Sequence, residues 1–149
     1  MPEPGTTEAV ISEIHSDARP ETVFGFFTEP EKLTRWLCSE ATSDPRPGGV
    51  IRQTHPGDED NPGGPWVMEG EFVEVDHPNR VVFTWGFRDE AMDIGPGEST
   101  VEVVLTAAGG GTDLVLTHTG LPTRDSRKSH SEGWAFHLEN LAGLDLRTV

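Results

Sequence analysis

Residues Ser126 to Leu146 read SRKSHSEGWAFHLENLAGLDL, and they carry the only long helical pattern in the chain. Trp134, Leu138, Leu141 and either Leu144 or Asp145 recur at intervals of three and four, which places them along one side of a helix. Everything upstream of this segment has a different rhythm. Arg80 to Phe87 (RVVFTWGF) alternates, so that Val81, Phe83, Trp85 and Phe87 share one strand face and Val82, Thr84 and Gly86 the other. By the same rule Val101, Val103 and Leu105 form one inward set, and Leu114, Leu116 and His118 another. A polar ring, His118, is thus expected to point into the interior, where it needs a partner.

The rest of the chain fills in around these two signals. Glu8 to His15 (EAVISEIH) reads as a strand. Arg19-Pro20-Glu21-Thr22 starts a short helix whose aromatic face carries Phe24, Phe26 and Phe27, and Pro30 opens a second one ending near Leu37. Pro47-Gly48-Gly49 turns the chain into the strand Val50 to Thr54. Pro56 to Pro65 is a loop rich in proline, glycine and acid. Trp66 to Val75 and Arg80 to Phe87 make a hairpin, with Gly70 expected at a bulge or bend. After a connection from Asp89 to Gly97, Ser99 to Thr106 and Thr112 to Thr119 make a second hairpin about Gly109-Gly110-Gly111. The expected fold is α+β: one curved, mostly antiparallel sheet of about six or seven strands, two short helices after the first strand, and a long C-terminal helix over the inner face.

The chain has 149 residues, about the size of one domain, with residues 1–7 expected as a flexible tail. Hydrophobic residues make up 34% of it, about 45% once glycine is added, which is a globular composition. The net charge of −15 repels phosphate backbones and anionic lipid surfaces, so neither nucleic acid nor a membrane is an expected partner. Cys38 is the only cysteine and cannot form a disulfide within the chain; it is expected to be a small buried hydrophobe. Without a signal peptide's apolar run or a stretch long enough to span a bilayer, a cytoplasmic protein is expected. The excess of arginine over lysine points to a GC-rich bacterial source.

Several strings, in order and spread over nearly the whole length, resemble a known group. They are Thr28-Glu29-Pro30-Glu31-Lys32-Leu33 with Trp36; Arg46-Pro47-Gly48-Gly49; Gly70 with Glu74-Val75-Asp76 and Pro78; Arg80-Val81-Val82-Phe83-Thr84-Trp85; Gly110-Gly111-Thr112 through Leu116-Thr117-His118; and Glu132-Gly133-Trp134 with Leu138 and Leu141. Together they resemble the START-like (SRPBCC) superfamily, and within it the activator of Hsp-90 ATPase homologue group. The resemblance implies the helix-grip fold. It leaves activity open, because the superfamily includes lipid carriers, polyketide cyclases and receptors. Chaperone-activating members of the group usually carry an additional chaperone-binding domain, which is not expected within 149 residues.

No nucleophile elbow, zinc-binding pair or calcium loop occurs, so no cofactor or metal is expected. The six histidines, His15, His55, His77, His118, His130 and His137, are scattered. What the pattern does support is a cavity. A sheet that curls around a helix touches it along only part of its length, and the remainder can hold a guest between apolar walls with a few polar points. The candidate ligand-binding residues are Trp36, Trp66, Met68, Phe72, Phe83, Trp85, Val103, Leu116, His118, Trp134, His137, Leu138 and Leu141, with a small hydrophobic, aromatic or polycyclic molecule as the expected partner. A second reading is a cyclase- or hydrolase-like enzyme in which His118 or His137 works beside Glu69 or Glu71, although alternation puts both carboxylates on the face opposite Met68 and Phe72. A third is a protein-interaction module that uses the acidic surface.

Overall fold

The computed structural model describes residues 9–56, 64–88 and 94–144. The expected tail, the middle of the loop after Pro56, part of the connection after Asp89, and Asp145 with Leu146 lie outside those residues.

Seven strands form one sheet, each antiparallel to its neighbour, in the order β1-β7-β6-β5-β4-β3-β2. They are β1 (Val10–Ser16), β2 (Glu40–Ser43), β3 (Val50–His55), β4 (Trp66–Asp76), β5 (Arg80–Trp85), β6 (Ser99–Ala108) and β7 (Gly111–Thr119). Between β1 and β2 come α1 (Pro20–Thr28) and α2 (Pro30–Leu33), and after β7 comes α3 (Arg124–Gly143). This is the helix-grip arrangement. Only β1 breaks the sequential order, because it pairs with β7 at the far edge and so leaves α1 and α2 to cross back toward β2.

The local chemistry accounts for each boundary. Pro20 and Pro30 sit in the first turns of α1 and α2, where a missing N–H costs nothing. Thr123 caps α3 by accepting a 2.9 Å hydrogen bond from the Ser126 backbone N–H, and Asp125 adds a negative charge at the positive end of the helix. The β6–β7 hairpin turns on Gly109 and Gly110, both at positive φ, 59° and 85°, a pair of conformations that suits two consecutive glycines. The strand β2 has no apolar signal of its own. Its alternately half-buried residues are held by pairing with β3.

Alternation along β5, β6 and β7 falls as expected. Val81, Phe83, Trp85, Val101, Val103, Leu105, Leu114, Leu116 and His118 are all buried. Val82, on the opposite face of β5, is also buried, between its cross-strand partners Glu74 and Glu102, whose carboxylates share the Arg80 guanidinium. The irregularity in β4 differs from the expectation. The register shifts between Phe72 and Glu74, which makes Val73, half exposed, the extra residue, and the inward phase passes from Met68 and Phe72 to Val75. Gly70 is demanded by closeness instead: a Cβ there would come within 1.9 Å of the Thr84 carbonyl oxygen on β5. The inner face of the sheet, α1 and the Trp134–Leu138–Leu141 stripe of α3 belong to one continuous apolar core.

Candidate functional site

An open cleft of about 1200 Å³ runs along one side of α3, between the helix and one end of the sheet. One wall is α3 from Ser129 to Gly143, with Leu144 just past its end. The other is built from the segment Thr34 to Ser39 after α2, from His55 at the end of β3, Trp66 at the start of β4, and Trp85 and Phe87 at the end of β5. Phe87 stays in register through an antiparallel bridge to Met68. All four tryptophans of the chain line this cleft. A smaller depression of about 520 Å³ lies between β1 and the first turns of α3, where Arg124, Arg127 and Lys128 gather; no aromatic residue lines it among the described residues.

The aromatic wall is fixed by hydrogen bonds that leave little freedom in how its rings are protonated. The Trp134 indole N–H donates to His118 Nδ1 at 3.0 Å, so that nitrogen carries the lone pair and Nε2 carries the proton. His118 Nε2 in turn meets Ser99 Oγ at 2.8 Å, and Ser99 passes its own proton to the Trp85 carbonyl, also at 2.8 Å. The Trp85 indole N–H donates to His130 Nε2 at 3.2 Å, and His130 Nδ1–H donates to the Ser126 carbonyl at 2.9 Å. The rings touch edge to face, with His118 and His130 centroids 5.0 Å apart and Trp85 and Trp134 5.1 Å apart at a tilt. On the other side, the Trp36 indole N–H donates to the Phe26 carbonyl at 2.8 Å, and its ring leans on Phe27 at 5.1 Å.

Two histidines stand farther into the opening. His137 Nδ1–H donates to the Trp36 carbonyl at 3.2 Å, tying α3 to the segment after α2. His55 Nε2–H donates to Gln53 Oε1 at 3.0 Å, and its ring lies 5.7 Å from Trp85 and 6.5 Å from His137. The Gln53 side chain is buried, and its Nε2 has no partner among the described residues.

Every one of these imidazoles whose titration shifts is pushed toward the neutral form. Burial drives His118 down to about 3, helped by the charge of His130. Burial drives His55 down to about 4, helped by His137 and His130. Burial also lowers His137, against the opposing hydrogen bond to Trp36. The Cys38 thiol, on the cleft wall but buried, is pushed up to about 12 by desolvation, which leaves it protonated.

Among the thirteen residues expected to bind a ligand, the structure brings Trp36, Trp66, Trp85, Trp134 and His137 to the cleft. Met68, Phe72, Phe83, Val103, Leu116, His118, Leu138 and Leu141 pack in the core behind it. Val103 and Leu116 face each other across β6 and β7, and Phe72 and Phe83 across β4 and β5 with rings 6.1 Å apart. His118 is therefore a core histidine with both nitrogens engaged. Glu69 lies on the outer face, where it pairs with Arg52 at 3.0 Å and with Arg88. Sequence reasoning passed over His55, His130 and Phe136. The signal for the helix residues was present: His130, Gly133, His137, Asn140 and Leu144 follow one another at steps of three and four, a stripe beside the core stripe. The signal for His55 was the alternation Ile51, Gln53, His55, one residue beyond the expected end of the strand.

No cluster of three or more potential metal ligands occurs among the described residues, and no helix there is long and apolar enough to cross a membrane. The family described as Activator of Hsp90 ATPase homolog 1-like protein matches residues 17–144. No curated protein matches the sequence. Solved structures do. Protein CV1439 from Chromobacterium violaceum superposes with a TM-score of 0.78 at 24% identity, over 90% of this chain and 94% of that one. CalU16 from Micromonospora echinospora gives 0.67 at 24% identity, over 89% and 73%. PFC0360w, described as an Hsp90 activator from Plasmodium falciparum, gives 0.68 at 26% identity, over 89% and 92%.

Proposed function

From the premise that the chain belongs to the Activator of Hsp90 ATPase homolog 1-like family, we propose that it binds a small, largely apolar aromatic molecule in the cleft between α3 and the sheet, to carry or sequester it. The family's name describes a chaperone activator, as does the description of the Plasmodium falciparum relative. This reading rests on the chain's own cleft instead. The observation that carries it is the convergence of all four tryptophans on one solvent-facing cavity. Trp36, Trp85 and Trp134 are buried and Trp66 is half-buried, and together with Phe87 and Phe136 they border concave walls with imidazoles set among them, the usual composition of a small-molecule site.

The energetics favour a rigid, flat guest. Removing roughly 250 Å² of apolar ligand surface from water gains about 6 kcal/mol, and association costs consume much of that. Net binding requires walls already in place. The hydrogen bonds from Trp134 to His118 and from Trp85 to His130 hold two of the four indoles where they stand.

The test is titration of the ¹⁵N-labelled protein with naphthalene, anthracene and anthraquinone, watching the four indole N–H resonances. Saturable shifts of Trp66, Trp85 and Trp134 are expected. Their absence with every compound up to its solubility limit, or shifts confined to the depression near Arg124 and Lys128, would overturn the proposal.

A further inference from the structure

We infer that the cleft selects guests bearing a neutral hydrogen-bond donor, a phenolic hydroxyl above all, which is received by the lone pair of His55 or of His137. The inference rests on the cleft reading and names the chemistry of its occupant. A carbonyl oxygen only accepts, so the contact between His137 and the Trp36 carbonyl places the proton on Nδ1 and the lone pair on Nε2. Gln53 Oε1 likewise only accepts, so His55 carries its proton on Nε2 and its lone pair on Nδ1. Neither lone pair has a hydrogen-bond partner among the described residues. His130, by contrast, is occupied on both sides, by the Trp85 indole and the Ser126 carbonyl.

Position matters as much as protonation. His55 and His137 are half-buried amid the rings of Trp85, Phe87 and Phe136, as is the doubly bonded His130, whereas Arg35, Glu132 and Asn140 are exposed at the rim. Two acceptors set in an aromatic wall favour a guest with an O–H to give and disfavour one whose oxygen is an ether or a carboxylate. Glu132 and Glu139 on the rim, and the chain's net charge of −15, add repulsion against anions. Two imidazoles without a third ligand are an incomplete metal site, and no such group of three occurs among the described residues.

The experiment compares 2-naphthol, 2-methoxynaphthalene and 2-naphthoate by calorimetry at pH 7.5, on the wild-type chain and on His137→Phe, His55→Phe and His137→Gln. One hydrogen bond in such a setting corresponds to about a tenfold preference for naphthol over its methyl ether. That preference is expected in the wild type. It should shrink to less than about twofold in His137→Phe or in His55→Phe, whichever removes the lone pair that the single O–H of naphthol uses; where that is His137, it should survive in part in His137→Gln, whose Oε1 still accepts. Equal affinity for naphthol and its ether in the wild type, a preference undiminished in both phenylalanine variants, or tightest binding of naphthoate would each overturn the inference while leaving the cleft reading in place. If none of the three binds, the cleft reading itself fails, and this inference with it.

Discussion

Two stripes of α3 lie one residue apart and meet different surroundings. Trp134, Leu138 and Leu141 are buried in the core, whereas His130, Gly133, His137, Asn140 and Leu144 border the cleft. The core stripe is mainly aliphatic and backed by strands whose inward residues are Val103, Leu105, Leu114 and Leu116. The cleft stripe carries two imidazoles and an amide beside Gly133 and Leu144, and it shares the cleft with Trp85, Phe87 and His55. Aliphatic side chains gain in proportion to the area they bury and offer water nothing polar, while indole and imidazole rings have both an apolar face and a polar edge and tolerate a half-wet surface. The same helix thus anchors the fold with one row of residues and frames an opening with the next. Trp134 belongs to both, which makes it the point where the two are coupled.

Separate substitutions should therefore have separate consequences. The largest effect is expected from Leu138→Ala, a fully buried side chain, which should lower unfolding free energy by about 2–5 kcal/mol in urea titrations. Affinity for naphthalene in the folded fraction should stay unchanged; a comparable loss of affinity would show that the two stripes are not independent. Acid should act next. His118 and His55 are held neutral in the folded chain, near 3 and 4 against 6.5 for a free imidazole. Between those limits the unfolded chain binds more protons than the folded one, so stability rises with pH. It should fall by on the order of a few kcal/mol between pH 6.5 and 3, and in His55→Phe the part due to His118 should persist. A flat profile would contradict the sealing of His118.

Trp134→Phe keeps most of the ring but leaves His118 Nδ1 without its donor, a cost of about 1–3 kcal/mol in the same titrations. The indole resonance of Trp85 should also move, since the two rings pack 5.1 Å apart. The smallest stability change belongs to Phe136→Ser. Phe136 is 62% exposed, so unfolding free energy should stay within about 0.5 kcal/mol of the wild type, while naphthalene affinity drops. A large stability loss there would mean that the cleft is closed in solution.

Much of the architecture could be read from periodicity, because period-two alternation in Arg80 to Phe87 and three-four spacing from Trp134 to Leu141 each encode a buried face. The division of those buried faces between core and cleft could not. Phe83 and Trp85 alternate identically, yet Phe83 ends against Phe72 while Trp85 ends at the opening, since the outcome depends on how far α3 stands from each point of the sheet. The position of the bulge escaped for a similar reason. Gly70 advertised itself as the weak point of β4, but its missing side chain serves a close approach to Thr84, and the extra residue is Val73, which local sequence does not mark. The strand β2 gave no signal either, being four mostly polar residues at a sheet edge.

The placing of every tryptophan on one cleft, in a chain without tyrosine, has a spectroscopic corollary. Ultraviolet emission from this protein originates almost entirely at that one locality and is silent about β1 and the turn between β6 and β7. An unfolding curve followed by intrinsic fluorescence is then a record of the opening, and only its coincidence with circular dichroism would license reading it as the melting of the whole chain.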